Sequence, residues 1–222
     1  MSSLSRLERD VPRLHANDSA LTELRLTCTI SEQHAMRLSI ALAACTTLTS
    51  LDLGYCGITE AGAAHLAEGM GRSASLATLN LGGNEIGNRG GATLGLALSV
   101  SITLASLDVS YCGITAAGAA NLAQGVGRSA SLAALNLSGN EIGDSGGRVV
   151  GAALAVNSSL TTLSLYYCGI TAVGAAHLAE GVRQGPLRHV PLTLRGVDLG
   201  WYSVVAAVCV CARARACVRA CV

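Results

Sequence analysis

Self-similarity limits this chain more than any other feature. Residues 48–75, LTSLDLGYCGITEAGAAHLAEGMGRSAS, and residues 104–131, LASLDVSYCGITAAGAANLAQGVGRSAS, are identical at 21 of 28 positions. Leu48, Leu76, Leu104, Leu132 and Leu160 stand 28 residues apart. Each opens one pattern: leucine, two variable residues, leucine, one variable residue, then leucine or valine. A fixed period of this size marks an array whose units bury their apolar faces only by leaning on their neighbours.

Within a unit the apolar period changes. Leu107 and Val109 alternate with Ser106, Asp108 and Ser110, so the opening segment predicts a short strand with one apolar face. Ile114, Leu122 and Val126 then recur at multiples of four among small residues, which predicts a helix. Thr59, Thr115 and Thr171 precede the helices and are read as N-caps. A strand followed by a returning helix in every unit builds a parallel sheet with helices on one side, an α/β class.

These residues resemble the leucine-rich repeats of the ribonuclease-inhibitor type, over roughly residues 21–185. The ninth position of each unit runs Cys56, Asn84, Cys112, Asn140, Cys168, and the resemblance implies that these side chains form an inward ladder satisfying the backbone of the bend. It also implies a horseshoe solenoid with a concave parallel sheet and convex helices. The likeness extends to the repeat domains of NOD-like receptors and of Ran GTPase-activating proteins. A fragment of such a sensor and a GTPase regulator are therefore the alternatives to a plain binding module. The chain lacks the first family's nucleotide-binding domain, and a basic tail stands where the second carries an acidic one.

The organisation expected is a cap segment over 1–20, six units of about 28 residues over 21–185, a degenerate terminal unit over 186–200, and a tail over 201–222. Leu4, Leu7, Val11 and Leu14 suggest an apolar helical stripe in the cap, interrupted by Pro12. The first unit is one residue short in its bend, and Ser31 caps its helix. A last strand is read through Leu187, Val190 and Leu192, with Pro191 marking a sheet edge. From Val204 onward only Val, Ala, Cys and Arg occur, as in a translated simple dinucleotide repeat.

The 15 basic residues are all arginine and face 14 acids, a net charge of +1, which gives nucleic acid no reason to bind. The apolar run 199–212 is short of the roughly 20 residues that span a bilayer, and the charged N-terminus carries no secretory signal. A cytoplasmic monomer without membrane, cofactor or metal is the expectation.

Several motifs invite chemistry, and the repeat accounts for each. Gly143-Asp144-Ser145-Gly146-Gly147 looks like a serine-protease nucleophile loop, but Gly87-Asn88-Arg89-Gly90-Gly91 is the same place two units earlier. His65 and His177 lie four units apart, Cys56, Cys112 and Cys168 two units apart each, so neither set converges on a metal or a bridge. A phosphate loop needs a lysine, and the chain has none. No catalytic role is expected. Sequons at Asn17, Asn136 and Asn157 are read as chance.

What remains is the concave face. Asp52, Asn80, Asp108, Asn136 and Ser164 form one column, and Gly54, Gly82, Ser110, Ser138 and Tyr166 the next. Tyr55, Tyr111 and Tyr167 stand at its rim in every second unit. Tyrosines beside small polar residues suit a protein contact, while packing on the neighbouring unit is the other reading. Six strands make a face of around 400 Å², about half of one partner's share of a standard interface.

Overall fold

A computed structural model describes residues 3–189 and 193–196. Among the described residues helix α1 (Ser3–His15) precedes seven strands, β1 (Glu23–Arg25), β2 (Ser50–Asp52), β3 (Thr78–Asn80), β4 (Ser106–Asp108), β5 (Ala134–Asn136), β6 (Thr162–Ser164) and β7 (Thr193–Arg195). Between them run α2 (Glu32–Ala44), α3 (Glu60–Arg72), α4 (Gly87–Leu98), α5 (Ala116–Arg128), α6 (Gly143–Leu154) and α7 (Ala172–Gln184). The strands form one parallel sheet in chain order, and the helices stack alongside, making the α/β horseshoe.

The register follows the repeat. Leu51 pairs with Leu79, Leu79 with Leu107 and Leu107 with Leu135. Leu24 pairs with Leu51, one residue closer in sequence, while α2 and α3 begin a full unit apart, so the deletion does lie between strand and helix. The last strand departs from its sequence reading. It falls at Thr193–Arg195, with Leu163 opposite Leu194, because a 3-10 turn over Pro186–His189 absorbs Leu187 and lengthens the connection. Val190, Pro191 and Leu192, and the tail from 197, lie outside the described residues.

The core is one leucine column after another. Leu48, Leu51, Leu53, Ile58, Leu66 and Met70 are fully buried in the second unit, and their counterparts recur along the array. At about 25 cal/mol per Å² of apolar surface removed from water, these side chains hold a sheet whose strands have three residues each. Helix α1 covers the first unit with Leu7, Val11 and Leu14, all buried. Pro12 stands inside α1 without ending it, and buried Asp10 binds Arg9 at 2.9 Å and Arg13 at 3.1 Å.

Glycine sets how closely the helices approach. A Cβ at Gly69 would lie 2.6 Å from the Ser39 carbonyl oxygen, and one at Gly125 would overlap the Gly95 carbonyl. The same relation joins Gly181 to Gly151. Thus α2 and α3, α4 and α5, and α6 and α7 meet backbone to backbone. Where propensity alone counts glycine as a cost, close packing requires it.

Two of the three expected threonine caps are absent. Thr59 and Thr115 make no side-chain cap bond, and only Thr171 accepts, from the N–H of Val173 at 3.3 Å. Helix α5 is instead capped from the preceding unit. Asn88 Oδ1 accepts the N–H groups of Thr115 at 2.9 Å and Gly118 at 3.0 Å. Asp144 does the same for α7, accepting from Thr171 at 2.7 Å and Gly174 at 2.9 Å. Ser31 caps α2, accepting from His34.

Candidate functional site

The bend after each strand turns the chain from concave face to helix, and it is built in two alternating ways. Asn84 Oδ1 accepts the N–H of Cys56 at 3.0 Å and of Ile58 at 2.9 Å, while its amide donates to the carbonyls of Leu53 and Leu81. Asn140 repeats this set on Cys112, Ile114, Val109 and Leu137. A thiol can donate only once. Cys56, Cys112 and Cys168 each have two carbonyls within reach of that one S–H, Leu26 and Gly54, Leu81 and Ser110, and Leu137 and Tyr166. Among the described residues no buried side-chain nitrogen or oxygen is left unsatisfied. Burial pushes the Cys56 and Cys112 thiols up to about 11 and raises that of Cys168, so all three stay protonated and unreactive at neutral pH.

The same alternation sets the rim. In the asparagine units, Gly83 and Gly139 take the left-handed conformation at φ 70° and 71°. In the cysteine units that position is tyrosine, and Tyr55, Tyr111 and Tyr167 stand at φ 56°, 52° and 55°. A side chain there costs about 1–2 kcal/mol relative to glycine. The rings of Tyr55 and Tyr111 lie over Gly83 and Gly139, so that a Cβ on either glycine would collide with them. One ring face therefore packs on the next unit. The residues are nevertheless 79%, 53% and 82% exposed, so packing on the neighbouring unit accounts for one ring face and leaves the rest of each side chain in solvent. Tyr166 joins Tyr167 with ring centroids 6.5 Å apart.

The floor is different. Asp52, Asn80, Asp108, Asn136 and Ser164 line the sheet centre, but their polar atoms are largely engaged with one another. Asn80 donates to Asp52 and Asn136 to Asp108, both at 2.8 Å. The Asp52, Asn80, Asp108 and Asn136 side chains also accept the N–H two residues on, at Gly54, Gly82, Ser110 and Ser138. Ser138 and Ser164 share a hydrogen bond of 2.9 Å, and Arg25 pairs with Asp52 at 3.1 Å. The column is thus a self-satisfied polar strip. Gly54 and Gly82 bring no side chain beside Asn80 and Ser110, and Tyr166 takes the same position in the sixth unit, against Gly196.

The other candidates disperse. Gly143–Gly147 opens α6, and Asp144 spends its oxygens on Thr171 and Gly174. The Thr171 hydroxyl, then its N–H, holds the Asp144 carboxyl below the usual range. His65 lies on α3, 3.5 Å from Glu32, and His177 on α7. Asn157 is buried, its amide bound to the carbonyls of Val126 and Ser129, and so cannot be glycosylated in the folded state. Among the described residues no group of His, Cys, Asp and Glu could hold a metal, and no helix is long and apolar enough to cross a membrane.

Sequence reasoning passed over a second ladder. Cys45, Ser73, Ser101, Ser129 and Asn157 sit between helix and strand, each accepting the N–H of the leucine three residues on. Their spacing of one unit was the available signal; their chemical variety hid it.

Comparison with known proteins agrees with this geometry. A family model described as Leucine Rich repeat matches residues 44–67, 72–95, 100–123, 128–151 and 156–179. No curated protein matches the chain. Among solved structures, the tropomodulin C-terminal domain of Caenorhabditis elegans is similar at 14% identity and a TM-score of 0.51, covering 80% of this chain and 92% of that one. A leiomodin-1 structure titled Actin-Binding Site 2 is similar at 14% identity and a TM-score of 0.48, covering 78% and 88%. At such identity the first likeness speaks for the fold alone. The five matched repeats span more than half of the sequence, and the chain belongs to the leucine-rich repeat family.

Proposed function

We propose that the chain is a non-catalytic protein-interaction module, a cytoplasmic monomer that docks a protein partner on its concave face and tyrosine rim. Repeats of this family suggest such a module, and one observation carries the choice of surface. Tyr55, Tyr111 and Tyr167 occupy a left-handed position that glycine fills in the alternate units, yet more than half of each residue faces solvent. Folding alone favours glycine there. Exposed tyrosine brings large contact area with few rotors to lose.

The floor argues the same way from the other side. Its aspartates and asparagines are engaged with each other, and three-residue strands make it about 10 Å high, too small alone for a stable interface. A partner must reach the rim. The test is retention of partners from cytosolic extract by the intact chain and by the triple variant Y55A/Y111A/Y167A, with thermal unfolding as the control for folding. Loss of the retained species in a folded variant is expected. Equal retention would remove the rim from the account.

A further inference from the structure

The tyrosines do not stand alone on the rim. Two residues beyond Gly83 and Gly139 come Glu85 and Glu141, both exposed. Their backbones bridge to Thr59 and Thr115 of the preceding units. Read along the bends, the order is Tyr55, Glu85, Tyr111, Glu141, Tyr167. Among the described residues neither glutamate takes part in an ion pair or a side-chain hydrogen bond, although arginines elsewhere are paired to Asp10, Asp18, Asp52, Glu68 and Glu180. Glu60 adds a third carboxylate, lying over Gly87 two residues past Glu85.

Resting on the rim reading above, we propose that this stripe binds an extended segment of a partner that carries an arginine or lysine at every third residue. Tyrosine faces attract cations, and unpaired carboxylates two residues past the glycines that the rings cover select the same charge. The spacing of the rim selects the phase. Tyrosine recurs every two strands, or about 9.6 Å at the usual strand spacing. Three residues of a polyproline II segment advance about 9.3 Å and bring the side chain back to the same side. From Tyr55 to Tyr167 the stripe covers about 19 Å, so it takes a cation at three successive positions. The chain's own arginines at 213, 215 and 219 are spaced by two and four and do not match this phase.

The test is fluorescence anisotropy on the full chain with three labelled peptides. One repeats the triplet Arg-Pro-Pro four times, and a second repeats Gln-Pro-Pro four times. The third has the composition of the first, with its arginines gathered in one run ahead of its prolines. The in-phase cationic peptide is expected to bind at least about fivefold tighter than the gathered one. E85Q/E141Q should weaken it about fivefold, and rising salt should weaken it further. Equal binding of the gathered peptide, or no effect of E85Q/E141Q, overturns the phased-cation inference. Binding of the Gln-Pro-Pro peptide as tight as that of the Arg-Pro-Pro peptide, abolished by Y55A/Y111A/Y167A, overturns it while leaving the rim as a docking surface. Binding of the Arg-Pro-Pro peptide that is indifferent to the tyrosines overturns both.

Discussion

Asn88 precedes Gly118 by 30 residues, yet its side-chain oxygen accepts the backbone N–H of Gly118 at 3.0 Å and so closes the first turn of a helix in the next unit. The relation fixes one unit on another by a cap rather than by apolar burial. It also explains Gly118, where a Cβ would lie 2.6 Å from Asn88 Oδ1.

Asn88→Ala is expected to destabilise the array by about 1–2 kcal/mol, the usual value of an N-cap. Thr115→Ala, which leaves the cap in place, should cost about 0.5 kcal/mol. Urea titrations of the two variants measure the difference. Equal losses would return the cap to Thr115.

Gly125→Ala tests whether close approach outweighs propensity. Alanine gains about 1 kcal/mol in a helix, but its Cβ would overlap the Gly95 carbonyl, and overpacking costs about 1–3 kcal/mol. A net loss is expected. At Gly127 the added Cβ comes nearest the tip of Val156 at 3.1 Å and meets the Ala153 backbone in ordinary contact at 3.7 Å, so Gly127→Ala should be neutral or stabilising. Thermal unfolding of the pair gives opposite signs if packing governs.

Sequence and structure agree where burial sets the residue. The leucine period locates the strands and the helical faces because every unit must bury the same column. The caps are not legible in this way: Thr115 has the right chemistry, but Asn88 reaches it from another unit, and a contact 27 residues distant leaves no local signal. The floor of the candidate site also differs in its availability. Asp52 and Asn80 look like free polar residues in the sequence, and only their register as neighbours on β2 and β3 pairs them. Tyr55 is recognisable as a rim residue by its alternation with Gly83, but its left-handed backbone follows from the bend alone.

Asp10 gives the array an acid limit. The hydrogen bond from Arg9, then that from Arg13, holds its carboxyl below the ordinary 3.8, against burial, which raises it. A carboxyl with a lowered folded pKa binds fewer protons folded than unfolded, so its contribution is complete above about pH 5 and disappears as pH falls through the folded value. Unfolding temperatures measured from about pH 6 to about pH 2 should fall more gently for Asp10→Asn than for the unchanged chain. Parallel curves would contradict the assignment.

Replacing the rim tyrosines by the residue of the alternate units separates folding from binding. Tyr55→Gly relieves a left-handed side chain and should leave stability unchanged or raised by up to about 1 kcal/mol. The same change should weaken partner binding. A clear loss of stability would mean that the ring serves chiefly to cover Gly83.

The most direct measurement is site-specific photo-crosslinking in cells. A benzophenone side chain placed at Tyr111, on the rim, is expected to capture a discrete protein partner, and one at Asn121, exposed on α5, to capture none. Capture from Asn121 with none from Tyr111 would place the working surface on the helices and contradict the account.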